Sequence, residues 1–350
     1  MVVGAGASQE LGFPVGDGLK EQIVKALHFD DRKDDLGFAD PTVAAAIRRH
    51  LGHDAYIGSV AMDEVASAAG SICRGLNLGA SIDNYLHTHQ GNEILVSLAK
   101  AAIAICIIRA EAGSGLFEPS SWIMPTESRR RKVAAPTTNT EAVKASWYLP
   151  LAQHLFNGVQ IVDLDSLFDN VRFIIFNYDR CLEQFLFMAV QEYFDIDDET
   201  AAGVLERAQF IHPYGSLGTL PWRGYGSPNT LPYGTNDEVD WWKIGSNLRT
   251  FTESVRSQVS SRIQEGVSTA DSILFLGFGF LEQNVNLLVP YGDRMASTII
   301  STAYKVEADD RQRIKDLLRL FAREDDPNLL IEPGTCRDLF DHYRITLNFA

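Results

Sequence analysis

The sequence is short of several features that define large protein classes. It holds four cysteines in 350 residues, Cys73, Cys106, Cys181 and Cys336. None lies near another, so there is no CxxC pair and no zinc-ribbon spacing. Isolated cysteines of this kind are expected as free thiols of a reducing compartment, the cytoplasm. No signal-peptide pattern precedes the first glycine turn. The longest apolar run, residues 94–108, contains Lys100 and falls short of the ~20 residues a spanning helix needs, so it is expected as a buried helix without membrane association. Positive charge is also scarce: 31 Lys and Arg stand against 46 Asp and Glu, a net charge of −15 at pH 7. A broad electrostatic grip on nucleic acid needs the opposite balance, so strong direct nucleic-acid binding is not expected. An anionic ligand must then be held by local N–H groups against the overall field. Two nucleotide signatures are missing too. No Walker lysine is present, and Gln9 stands where a GxGxxG fingerprint needs its third glycine. No strand ending in an acid follows about twenty residues later to take a ribose. A P-loop NTPase and an ordinary nicotinamide dehydrogenase are both poor fits.

What is present begins at residue 1. A short apolar run meets Gly4-Ala5-Gly6-Ala7-Ser8, a second small-residue turn follows at Gly12-Phe13-Pro14, and a helix begins near Asp17. Strand, glycine turn and helix together are how α/β proteins hold a phosphate: glycine lets the backbone come close, and a helix N-terminus offers free N–H groups. The plainer alternative is a tight turn that binds nothing. Because the strand starts at residue 1, either β1 is very short or the true start lies upstream.

Apolar residues at helical spacing predict a helix to about Leu27, two or three more between Pro41 and Gly75, another from Ser81, and a long one over 93–111. Residues 112–140, rich in Gly, Ser, Pro, Thr and Arg, are expected as a mobile loop whose basic run at 129–132 is solvated. Helices are expected over 147–156, 182–190, 201–208, 241–265 and 309–321. Strands are expected over 171–176, 209–211, 272–276 and 297–304, and the rest as a polar tail. Strands interleaved with helices predict an α/β fold, a Rossmann-like doubly wound parallel sheet with a large helical insertion. The chain is expected as a single domain, with its core in 1–27 and 151–321, the insertion in 28–150 and the tail in 322–350.

In such a sheet the ligand sits beyond the C-terminal strand ends. Those ends carry Gly4 to Ser8, Asn177-Tyr178-Asp179, His212 and Gly277-Phe278-Gly279. His212 is a candidate general acid or base, its alternative a satisfied structural histidine. Asn177 is a candidate to orient a water or a ribose hydroxyl, its alternative a turn-forming Asx residue. Asp179 reads first as a helix cap.

These segments, taken in order, resemble the sirtuins and especially their bacterial sirtuin-like branch. GAGAS followed by GFP is similar to the sirtuin opening. FNYD at 176–179, IHPYGSL at 211–217, LGFGFLEQN at 276–284 and SIDNYL at 81–86 are similar to segments of the bacterial branch. Two departures stand out. The four-cysteine zinc module of sirtuin deacylases is missing. Family members often place the histidine directly before the glycine, whereas here Tyr214 stands there; other bacterial members have a His-x-His-Gly or His-Pro-Tyr-Gly form, and the role is carried to His212. The resemblance implies an NAD+ glycohydrolase that releases nicotinamide and ADP-ribose with NAD+ as substrate and no metal, an abortive-infection effector of bacterial anti-phage defence. It implies a homo-oligomer and a HerA-type ring ATPase partner in trans. Asn177 and His212 would be catalytic. Gly4, Ala5, Gly6, Ser8, Phe13, Pro14, Tyr178, Asp179, Gly277, Phe278, Gly279 and Asn284 would hold the dinucleotide, with Asp83 near the nicotinamide end. The competing expectations are an NAD-dependent protein deacylase and a non-catalytic nucleotide-binding assembly subunit.

Overall fold

The computed structural model describes residues 1–30, 35–116, 140–224, 227, 229–235, 239–255 and 258–347. Most of the expected 112–140 loop, including the basic run at 129–132, lies outside the described residues.

Six parallel strands form one sheet: β1 (Val2–Val3), β2 (Arg172–Ile175), β3 (Gln209–Ile211), β4 (Ser272–Leu276), β5 (Thr298–Thr302) and β6 (Asn328–Glu332), in the order β3-β2-β1-β4-β5-β6. This is a doubly wound α/β fold. Although β1 is only two residues long, it is the central strand: Val2 pairs with Ile174 on one side and Phe275 on the other. Apolar strands buried on both faces are what a parallel sheet requires, and the side-chain alternation divides the core accordingly. Val2, Ile174 and Phe275 face one hydrophobic cluster, while Val3, Ile175 and Leu276 face the other.

The helices are α1 (Ala5–Ser8), α2 (Gly16–Ala26), α3 (Pro41–Leu51), α4 (Val60–Gly75), α5 (Ile82–Thr88), α6 (Glu93–Ala112), α7 (Thr140–Ala145), α8 (Tyr148–Phe156), α9 (Cys181–Phe194), α10 (Asp198–Glu206), α11 (Trp241–Gly245), α12 (Phe251–Val255), α13 (Gln258–Ser268), α14 (Glu282–Leu288), α15 (Ala308–Leu318) and α16 (Cys336–His342). The helical insertion covers one face of the sheet. Val43, Ile72, Ile103 and Ile107 belong to the same cluster as Val2 and Ile174. Its axis is α6, apolar on all sides and packed by α2, α4 and α11. The buried Lys100 within it is matched by Glu253 at 2.9 Å. The opposite face is covered by α8, α9, α10 and α16. No helix among the described residues is long and apolar enough to cross a membrane.

Three expectations are corrected. The polar tail holds β6, paired with β5 from Asn328 to Glu332, and α16. The strand signal there is five residues long and sits among acidic residues, while α16 opens on a capping box between Thr335 and Asp338. The single helix over 241–265 is three helices. The chain between α11 and α12 is drawn toward the segment after β3, where Arg249 N–H donates to the Tyr214 carbonyl at 2.8 Å. The strand over 297–304 ends at Thr302, and Ala303 N–H turns to the Glu332 carbonyl at 2.6 Å.

Candidate functional site

The strand order reverses between β1 and β4, and the crevice of such a sheet opens there. The two segments leaving these strands lie against each other. Gly4 N–H donates to the Leu276 carbonyl at 2.8 Å, and Gly6 N–H to the Gly277 carbonyl at 3.0 Å. A Cβ on Gly4 would stand 2.5 Å from the Gly277 oxygen, and one on Gly277, whose φ is +56°, 2.0 Å from Ala7 N. These glycines are therefore required by backbone meeting backbone. Here the phosphate-turn expectation changes in detail. Gly6 N–H is already engaged, and α1 has only four residues, too few for a strong terminal dipole. The donors left open are elsewhere: the N–H groups of Ala5, Phe278 and Gly279 donate to no group among the described residues. The two turns make a ridge, with Gly6 and Gly277 to Gly279 lining the cavities on both sides, and open backbone N–H groups in such turns are suited to anions.

A cavity lies on each side of this ridge. The first has a volume of about 320 Å³. Gly4, Ala5, Gly6 and Ser8 line it from the end of β1, with Phe13 and Pro14 from the turn before α2. Asn177, Tyr178 and Asp179 enter from the end of β2, Gly277, Phe278 and Gly279 from the end of β4. Asp83 of α5 and Asn284 of α14 close it. The second cavity, about 390 Å³, shares Gly6 and Gly277 to Gly279 and extends past the ends of β4 and β5 to Thr302, Ala303 and Tyr304. Sequence reading did not anticipate the β5 side of this space.

The polar groups of the first cavity form a connected chain. Asn177 Nδ2 donates to Ser8 Oγ at 2.8 Å, and Ser8 Oγ donates to Asp179 Oδ2 at 3.0 Å. Asp179 Oδ1 accepts Cys181 N–H at 3.1 Å, so Asp179 also supports the start of α9. The chain leaves Asn177 Oδ1 buried without a partner among the described residues. A stranded acceptor costs about 1–3 kcal/mol, and such groups in native proteins call for an explanation. Tyr178 OH donates to Asp83 Oδ1. Burial pushes the Asp83 carboxyl up to about 6, against the opposing Tyr178 hydrogen bond. Burial likewise pushes Asp179 up to about 6, opposed by the Cys181 amide and assisted by the Glu111 and Glu183 carboxylates. Two carboxyls poised near neutrality in a cleft mark a functional-site candidate.

His212 does not join them. Its ring lies outside the lining of the first cavity. Nε2 meets Glu183 Oε1 at 2.6 Å, and Nδ1 meets the Asn177 carbonyl at 3.2 Å. Both neighbours are acceptors, so the contacts are complete only with imidazolium, which has no lone pair for a base. Burial disfavours that charge, but the Glu183 carboxylate outweighs it and the His212 pKa is raised. Burial also works to raise Glu183, and the His212 charge and hydrogen bond outweigh it, leaving Glu183 lowered. Tyr214, the residue directly before Gly215, lines the cavity instead, its OH donating to Asn284 Oδ1 at 2.6 Å.

One supporting pair escaped the sequence reading. Glu111, at the end of α6, is fully buried and accepts from Arg180 Nη2 at 2.6 Å, Arg180 Nε at 3.1 Å and Gly234 N at 3.0 Å. It ties the segment after β2 to the insertion. The available signal was an acid near the end of a largely apolar helix, with an arginine directly after Asn-Tyr-Asp. Among the described residues, no group of three His, Cys, Asp or Glu could hold a metal ion. Comparison with protein-family models, with curated proteins and with solved structures finds no match.

Proposed function

We propose that this protein is a sirtuin-like NAD+ glycohydrolase that cleaves NAD+ to nicotinamide and ADP-ribose. The observation that carries the reading is Asn177 Oδ1, a buried acceptor without a partner among the described residues, in a cavity that shares a wall of open N–H groups with a second one. Two cavities about such a ridge suit two nucleosides joined by a pyrophosphate. In this reading the ridge holds the pyrophosphate, adenosine fills the cavity beyond β4 and β5, and the nicotinamide riboside fills the first.

The chemistry follows from the groups around it. Asn177 Oδ1 accepts from a ribose hydroxyl or from the attacking water. As the bond from the anomeric carbon to nicotinamide breaks, its electron pair leaves with the nitrogen, and the ribose becomes an oxocarbenium ion. Carboxylates at Asp83 and Asp179 stabilise that cation. The water oxygen bonds to the anomeric carbon, and its proton passes to Asp83, ionised above a pKa of about 6. His212 acts as a positioning residue, fixing the Asn177 carbonyl. The test is NAD+ titration by calorimetry together with chromatography of the products. Binding by the parent protein with release of nicotinamide is expected. Absence of NAD+ binding would overturn the reading.

A further inference from the structure

On the far side of the His212 ring lies a third cavity, of about 560 Å³, with a different chemistry. It is formed by the segment after β3, the start of α9, the linker between α11 and α12, and α13. Its lining includes Arg180, Arg223, Arg249 and Arg262, and one acid, Glu183. Arg180 is engaged by Glu111. The side chains of Arg223, Arg249 and Arg262 form no ion pair among the described residues. Arg223 lies over the Phe210 ring, 5.5 Å from its centroid, and exerts its charge on Glu183. In a chain of net charge −15 this cavity is locally positive. A stacked guanidinium keeps the edge of its fork available for a phosphate.

The second observation is independent of the arginines. Glu183 is 4% exposed, and while Oε1 holds His212, its other oxygen, Oε2, is buried without a partner among the described residues. A carboxylate oxygen in that state needs a donor. Sulfate, an oxyanion with no proton to donate, would satisfy the arginines and leave Oε2 stranded. Free sugar would do the reverse.

We propose that this cavity is a second small-molecule site, for a ligand carrying both a phosphate and a hydroxyl, such as a sugar phosphate or a mononucleotide. The arginines take the phosphate and Glu183 Oε2 accepts from the hydroxyl. Ser216, Thr219 and Asn247 supply further polar contacts along the wall. The proposal does not depend on NAD+ hydrolysis, because the site lies apart from the first two cavities and is read by binding.

The experiment is calorimetric titration of the full chain with ribose 5-phosphate, AMP, sulfate and ribose. Ribose 5-phosphate or AMP is expected to bind with a Kd below about 1 mM, and sulfate and ribose about tenfold more weakly or worse. The tighter of the first two identifies the ligand as sugar phosphate or nucleotide. An Arg249→Gln/Arg262→Gln double variant, with a melting temperature equal to the parent's, is expected to lose about tenfold or more in affinity. Arg262 is exposed and Arg249 half-buried, so folding should survive the change. Failure of both phosphorylated probes to bind would overturn the proposal. So would binding that the double variant leaves unchanged, because the ligand would then occupy another site. Equal affinity for sulfate would remove the role of Glu183.

Discussion

Asn177→Ala separates a residue kept for binding from one kept for packing. Among the described residues the side chain makes one hydrogen bond, Nδ2 to Ser8 Oγ, and buries Oδ1 without a partner. Losing the bond costs about 0.5–1.5 kcal/mol, and removing the stranded acceptor relieves about 1–3 kcal/mol. Ser8 still donates to Asp179, so no new orphan arises there. The truncated side chain opens onto an existing cavity, so no closed void is added. The net change runs from about 0.5 kcal/mol of destabilisation to about 2.5 kcal/mol of stabilisation. With an unfolding entropy near 2.1 cal/mol/K per residue, a chain of this length changes Tm by about 1.4 °C per kcal/mol. Scanning calorimetry should therefore place the variant between about 1 °C below and about 3 °C above the parent. Nicotinamide release should fall ~10²–10³-fold, the effect of one hydrogen bond strengthened in the transition state. Undiminished turnover would refute the functional role. A Tm about 5 °C lower would show that Asn177 is structural and that Oδ1 has a partner in the free protein.

Asp83 carries the pH dependence. Its carboxyl titrates near 6, above the ordinary range, so the basic form fills as pH rises through 6. kcat/KM for NAD+ should climb between about pH 5 and 7, and Asp83→Asn should abolish that limb with a loss of ~10²–10⁴-fold. A limb that survives in the variant would assign the proton to another group. The His212–Glu183 pair acts on stability in two directions. His212 is raised, so its contribution is full below about pH 6.5 and lost as pH rises through the folded value; Glu183 is lowered, so its contribution is present above about pH 4.5 and lost as pH falls through the folded value. Tm should therefore have a maximum between these limits that His212→Gln flattens, and an unchanged profile would contradict the ion pair. Gly277→Ala combines φ +56° with a Cβ 2.0 Å from Ala7 N. It should cost at least ~3 kcal/mol, read as a Tm drop of at least ~4 °C, and a neutral effect would mean that the two turns separate freely.

The sheet was legible because parallel strands buried on both faces read as apolar runs, and because three of the runs end at Gly4, Asn177 and Gly277, residue types that strand interiors avoid. What stayed hidden had a local cause. The five residues of β6 sit in acidic surroundings, and an edge strand gains its pairing from β5 rather than from its own pattern. The helix over 241–265 kept its periodicity in sequence, but a long-range bond from Arg249 to Tyr214 draws the chain between α11 and α12 away from helical geometry. The glycines were legible as close approaches, though their partner is another turn of the same chain. A sequence cannot distinguish backbone meeting backbone from backbone meeting phosphate, because both require the missing Cβ.

The histidine shows the same limit in the site itself. His212 and Tyr214 are two residues apart, and an extended chain would send both to the same side. The segment is not extended: Gly215 N–H returns to the His212 carbonyl at 3.2 Å, and Gly215 has φ +74°. The turn sends Tyr214 into the first cavity and His212 toward Glu183. Glu183 lies in the first turn of α9, four residues after Asp179, where an inward-facing acid has no solvent to satisfy it. A buried acid needs a cation within reach, and His212 is that cation. An Asn177→Ala loss of turnover without a matching loss in His212→Gln would therefore support a site built on Asn177 and Asp83, with the imidazolium acting through the Asn177 carbonyl. Equal losses, with an acid limb that shifts in His212→Gln, would return the proton to the histidine.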